Sequence, residues 1–223
     1  MVDITIYVEG GGKQENVAAQ TVDNSAVFRE NFYKLFSQKL SPKEFKLKIQ
    51  PFGSVTQTRK KLEYVESKGV NAVILVDLDA PKEQRGERLN RYKPFDTKKI
   101  FFMIQEMEAW ILSQLDKIEK FGENEGLIRK KSDKDINDDF LLKGKHPEQI
   151  SKPSEKLDTI LKQYFDVIKK IRGNKERKKA KRYSKTKDGP GLIGLLDLET
   201  LMKCFDEVKR LIDYITDAEQ LNS

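Results

Sequence analysis

Acidic residues stand directly behind three strand-like runs. Glu9 follows Ile4-Thr5-Ile6-Tyr7-Val8, Asp77 and Asp79 follow Ala72-Val73-Ile74-Leu75-Val76, and Glu106 and Glu108 follow Ile100-Phe101-Phe102-Met103-Ile104. Carboxylates gathered at one place repel one another unless a cation neutralises them, and oxygen-only ligands favour Mg²⁺ or Mn²⁺ over softer metals. Such an ion polarises a phosphate and helps to form an attacking hydroxide. The pattern predicts a metal site of Glu9, Asp77, Asp79 and Glu106, with Glu9, Asp77, Asp79 and Glu108 as catalytic candidates. Each segment has a plain reading too. An Asp behind a strand can cap a helix, and Glu108 can complement a helix dipole from the first turn. The argument for a shared site is their occurrence at the ends of three successive strands.

Gly10-Gly11-Gly12-Lys13 lets backbone N–H groups approach a phosphate, with Lys13 adding charge. It is not a nucleotide-binding Walker loop, because Gln14 follows Lys13 and Tyr7 stands where the first Gly belongs. A second patch lies around Lys181, Arg182, Tyr183, Lys185 and Lys187, where basic residues beside an aromatic suit a nucleic-acid backbone. Tyr183 can equally pack on the helical end of the chain. With one histidine, His146, multi-histidine zinc sites are excluded. Cys204 reads as a buried, inert thiol.

The elements that must position these groups follow from patterning. Phe28, Phe32, Leu35, Phe36 and Leu40 mark a helix, and Phe45–Ile49 alternates like a half-exposed strand. Ser54 is placed to cap a helix carrying Val55, Leu62 and Val65, with Gly69 beyond its end. The unbroken apolar run Ala72–Val76 belongs to a strand covered on both faces. A charged connection, Lys82–Lys93, leads to Ile100–Ile104, and Trp110, Ile111, Leu115 and Ile118 form the next helical face. This alternation predicts an α/β fold: a Rossmann-like parallel sheet of about four strands, flanked by helices. If the first and third strands are neighbours, their acids meet at the carboxyl edge, where strand order reverses.

The second half reads differently. Residues 1–121 form the metal-binding domain, 122–153 a polar loop or insertion, and 154–223 a helical extension. Leu157, Ile160, Leu161, Tyr164, Phe165 and Ile168 form one helical stripe, and Leu198 to Ile215 another, with no strand signal between. Of the chain's net charge of +7, the segment Lys169–Lys187 alone carries +10, so the remaining residues sum to −3. A localised basic segment on a mildly acidic body suits a polyanion such as nucleic acid, or forms a solvated linker. A single cysteine and the lack of an apolar leader or spanning run predict a cytosolic protein.

Val8-Glu9-Gly10 followed by Val76-Asp77-Leu78-Asp79 resembles the Toprim fold of topoisomerases, primases and related nucleases. More narrowly, Tyr7-Val8-Glu9-Gly10, Leu75-Val76-Asp77-Leu78-Asp79-Ala80 and Glu108-Ala109-Trp110-Ile111-Leu112 resemble the bacterial domain-of-unknown-function family DUF4276, whose members stand beside ATPases in phage-defence loci. The resemblance implies that Asp77 and Asp79 bind metal, and that Glu9 completes the metal site or shuttles a proton. Ala80 stands where the longer pattern has a Gly, which leaves one or two metals open. The expected function is a Mg²⁺-dependent nuclease acting on DNA or RNA, an effector of antiviral defence. The alternative is a non-catalytic nucleic-acid-binding or ATPase-partner protein with a metal-binding Toprim site.

Overall fold

The first strand, β1 (Val2–Val8), lies at the centre of the computed structural model, which describes residues 1–11, 20–171 and 175–220. Helix α1 (Gln20–Phe36) returns the chain to β2 (Phe45–Pro51), and α2 (Thr58–Ser67) leads to β3 (Ala72–Asp77). Next come α3 (Arg85–Asn90), β4 (Ile100–Met103), α4 (Glu108–Leu112) and α5 (Leu115–Asn124). The four strands pair in parallel in the order β2-β1-β3-β4. β1 and β3 are therefore neighbours, with the order of strands reversing between them.

Alternation along the strands divides the core. Ile4, Ile6, Val8, Val73, Leu75, Phe101 and Met103 line one face, in one buried cluster with Phe28, Phe32, Leu35 and Phe36 of α1. Tyr7, Ile74, Val76, Ile100 and Phe102 face the opposite way, onto Leu62 and Val65 of α2. Every residue of β3 is buried, as its unbroken apolar run requires, whereas the edge strand β2 alternates buried and exposed.

The second half departs from its sequence pattern. Residues 122–153 contain the short β5 (Ile128–Arg129) and bury Ile136, Leu142 and Ile150. The helix α6 (Pro153–Tyr164) stops four residues before the apolar stripe does, because Phe165 is already extended. The chain then forms β6 (Phe165–Ile171) and β7 (Lys175–Ala180), an antiparallel ribbon that β5 joins at its base. The expectation that this region holds no strand is thereby corrected. KERKKA carries almost no β-forming residues, so cross-strand pairing rather than intrinsic preference makes β7.

After the ribbon come α7 (Asp188–Ile193), α8 (Leu198–Cys204) and α9 (Asp206–Gln220). A single hydrophobic cluster runs from the first sheet face through Leu157 and Ile160 of α6 to Leu201, Leu211 and Ile215 of α8 and α9. The helical extension thus shares its core with the sheet. Among the described residues, no helix is long and apolar enough to cross a membrane.

β4 is an edge strand, and α9 occupies its open side. Glu207 Oε2 accepts from the Phe102 amide at 3.0 Å, and the Arg210 guanidinium donates to the Ile100 carbonyl at 3.0 Å. Arg85 Nε donates to Glu207 Oε1 at 2.7 Å, so two guanidiniums neutralise the buried carboxylate. Removing this acid leaves a buried amide without an acceptor and two cations without their partner. Glu207→Ala should lower the unfolding free energy by about 2–4 kcal/mol in urea denaturation. Glu207→Gln, which keeps an oxygen for the Phe102 amide, should cost clearly less.

Candidate acidic site at the carboxyl end of the sheet

Glu9 leaves β1 at the point where strand order reverses, the place where ligands bind in open α/β sheets. Its Oε2 accepts from the Asp77 amide at 3.0 Å, and its Oε1 from the Val55 amide at 2.9 Å. Glu9 thus caps the turn before α2, the role expected of Ser54, whose hydroxyl instead bonds the Thr56 hydroxyl. Gly10 and Gly11 have φ of 103° and 57°, a left-handed region that favours glycine. A Cβ on Gly11 would stand 3.0 Å from the Phe28 ring. The Gly10 amide donates to the Gly53 carbonyl at 2.7 Å rather than facing a ligand. Lys13 lies outside the described residues.

Asp77 is buried where β3 ends. Its Oδ1 accepts from the Met107 amide at 2.9 Å, just ahead of α4, and its Oδ2 meets Lys185 Nζ at 2.9 Å. Glu108, with no exposed surface, accepts from the Tyr183 hydroxyl at 2.8 Å through Oε1. Its Oε2 lies 3.6 Å from Lys185 Nζ and has no hydrogen-bond partner. One ammonium is therefore shared by two carboxylates from different strand ends.

The remaining acids are turned elsewhere by the backbone. Asp79 and Gln105 have φ of 53° and 62°, unusual for residues with a side chain, and their loops are tied to each other. The Asp79 amide donates to the Gln105 carbonyl at 2.8 Å, and the Gln105 amide to the Ala80 carbonyl at 3.1 Å. Asp77 consequently points inward while Asp79 is exposed at the rim. Glu106 accepts from the Ser154 amide at 2.8 Å and so caps α6.

A stapled loop delivers Lys185 and Tyr183. Both oxygens of Asp188, at the start of α7, accept from Lys181 Nζ at 2.8 Å, and one also accepts from the Ser184 amide. Asp158 of α6 accepts from the Tyr183 amide at 2.9 Å. Lys181 is thereby engaged within the protein, whereas Arg182 and Lys187 are exposed. Sequence reading placed Tyr183 and Lys185 in a separate basic patch and did not find Asp158 or Asp188. Contacts spanning 108 residues, as between Asp77 and Lys185, leave no local signal.

Burial pushes Asp77 up to about 7, against the opposing pull of Lys185. Burial also raises Glu9, opposed by the amides of Asp77 and Val55 and assisted by the charge of Asp79. Lys185 loses hydration, which lowers it, but Asp77 and Glu108 outweigh that and hold it above the ordinary lysine value. Tyr183 is raised by burial and then by Glu108, so it remains a neutral donor.

A divalent cation suits part of this donor set. The donors are oxygens, Asp77 and Glu108 already share a cation, and Glu108 Oε2 is a buried acceptor without a partner. Among the described residues, no three His, Cys, Asp or Glu form a ready-made metal group. Glu9 and Glu106 are directed onto backbone amides, and Asp79 lies at the rim. The expected convergence of Glu9, Asp77 and Asp79 is thus partial, and Glu108 and Lys185 fill the centre.

A family model described as Domain of unknown function (DUF4276) matches residues 8–216. No curated protein and no solved structure matches the chain.

The raised Asp77 has a measurable consequence. Its folded value lies above the 3.8 of a free aspartate, so between there and about 7 the native state binds the proton more tightly than the unfolded chain. The stability it contributes is complete below the lower value and is lost as pH rises through the upper one. Between about pH 5 and pH 8, wild-type stability relative to Asp77→Asn should fall by about 3 kcal/mol, from about two units at 1.36 kcal/mol each. Denaturant unfolding in chelator-treated buffer tests this, and a difference between the two proteins that ignores pH would contradict it.

Proposed function

The chain belongs to the DUF4276 family, and we propose that it is a Mg²⁺- or Mn²⁺-dependent phosphodiesterase, a Toprim-type nuclease acting on DNA or RNA. The observation that carries this reading is the buried Asp77–Glu108 pair sharing the Lys185 ammonium at the carboxyl end of the sheet. Perturbed acids cluster at functional sites, and ligands of open α/β sheets bind at the carboxyl ends of the strands. The Toprim kinship, and a role beside a partner ATPase in antiviral defence, belong to the same proposal. The kinship rests on the motifs Val8-Glu9-Gly10 and Val76-Asp77-Leu78-Asp79, and the partner role on the narrower likeness carried by Tyr7–Gly10, Leu75–Ala80 and Glu108–Leu112.

Asp77 and Glu108 would hold the ion, with the charges of Glu9 and Glu106 acting on the same cluster. Bound there, a divalent ion would supply polarisation of the phosphate and activation of water at neutral pH. The side chain of Lys185, about half exposed (49%), reaches the substrate phosphate and offsets the charge that grows on its oxygens. Tyr183 fixes the orientation of Glu108 through the hydrogen bond to Oε1. Glu9, with its oxygens on the Asp77 and Val55 amides, positions the end of β3 that carries Asp77.

One observation favours a second reading. Lys185 already neutralises Asp77 and Glu108, so the cluster is complete as an ion network without a metal. In that case the protein binds nucleic acid or a partner ATPase without cleaving.

Incubation of plasmid DNA and total RNA with Mg²⁺ or Mn²⁺ separates the two readings. The wild type should cleave one of them, and Asp77→Asn and Glu108→Gln should each lower the rate by about 100-fold or more. Glu9→Gln should lower the rate while leaving binding intact. Binding by every protein with cleavage by none, a partner ATPase included, would establish the second reading.

A further inference from the structure

The ribbon of β6 and β7 has two unlike faces. Pairing sets Lys169 opposite Arg177, and Val167 opposite Lys179, so Lys169, Arg177 and Lys179 share one face. The other face carries Asp166, Ile168, Glu176 and Lys178, where two acids interrupt the charge, whereas Val167 is uncharged and the first face has no acid among these residues. Lys169, Arg177, Lys178 and Lys179 are all exposed, and Ile168 is 46% exposed. Ile168, Lys169 and residues 176–179 therefore meet solvent on both faces of the ribbon beyond the base held by β5. Like charges directly opposite destabilise a strand pair, and two-stranded ribbons are marginal in water. A polyanion laid along the basic face would remove that repulsion.

We infer that this face of the ribbon is a docking surface for double-stranded DNA, seated by Lys169, Arg177 and Lys179 on the phosphates flanking the major groove. The inference rests on the nuclease reading and names its substrate class. A two-stranded ribbon fits the wide major groove of B-form DNA, whereas the corresponding groove of A-form RNA is deep and narrow. Connectivity links the grip to the acids, because β7 runs through Lys181 and Tyr183 to Lys185 in the same strand-and-loop segment. Six to eight residues separate Lys179 and Arg177 from Lys185, a reach of at most about 20–29 Å, or roughly six to eight base pairs. A duplex held by the ribbon can thus extend to the carboxylates. The three cations lie outside the catalytic cluster and make no contact with it.

The test is binding of the full chain to a short blunt DNA duplex in excess chelator, where cleavage cannot intervene. Affinity is followed by fluorescence anisotropy between about 50 and 200 mM salt. The variant Lys169→Ala/Arg177→Ala/Lys179→Ala should lose about tenfold or more in affinity. Its slope of log affinity against log salt should shrink by about 2 to 3, as three phosphate contacts disappear. Lys178→Ala, on the opposite face, should change that slope by at most about one. These substitutions remove repulsion, and unchanged circular dichroism verifies that the fold is kept. An unaltered slope and affinity in the triple variant overturns the inference. So does a loss confined to duplex RNA, or to phosphatidylserine vesicles, with DNA binding intact. Failure of the nuclease reading looks different: the ribbon-dependent DNA binding persists while no divalent ion produces cleavage.

Discussion

Acids buried at the end of a sheet must be paired, protonated or bound to a cation, since an isolated ionised carboxylate cannot be held away from water without a severe penalty. Asp77 and Glu108 meet that constraint through Lys185. Much of the rest of the structure serves this contact. The β1–β3 adjacency brings Glu9 onto the Asp77 amide, the left-handed Asp79 and Gln105 turn the chain so that Asp77 faces inward, and Asp188 and Asp158 fix the loop that carries the lysine. The cluster is built as a continuous network in which each acid uses at least one oxygen on a backbone amide or a phenol. Glu108 Oε2 is the buried oxygen of Asp77 and Glu108 left without a hydrogen bond among the described residues.

That division of labour bears on how the cluster is organised. Glu9 and Glu106 are preoccupied with capping, which satisfies amides that helices leave open at their first turn. Asp77 does both jobs at once, with one oxygen on the Met107 amide and one toward the centre. A carboxylate fixed by an amide keeps its second oxygen in a defined direction, the kind of preorganisation that favours charge stabilisation without rearrangement.

The parallel sheet and its acidic edge were legible because their signals are local. Val73 to Val76 could hardly be anything but a strand covered on both faces, and an acid directly behind such a strand must lie at its carboxyl end. The other half of the site was not legible. Lys185 and Tyr183 belong to a basic stretch whose composition suggests solvent, and what draws them inward is a pair of aspartates, Asp158 and Asp188, that look like ordinary helix residues. The ribbon was hidden for a related reason. Exposed on both faces, β7 has no need of alternating apolar residues, so the periodicity that reveals buried strands is missing. Glu207 illustrates the same limit, since its place on the Phe102 amide depends on the docking of α9 against β4.

The 108 residues between Asp77 and its counter-charge give the cluster a history during synthesis. Ribosomes add roughly 5–20 residues per second, so about 4–15 s pass between the emergence of Glu108, the later of the two acids, and that of the lysine they share. Throughout that interval the nascent chain holds two acids at a half-built strand edge with no ammonium to quiet them. A polypeptide cut short before Lys185 would keep that deficit for good, its two acids left without their shared counter-charge.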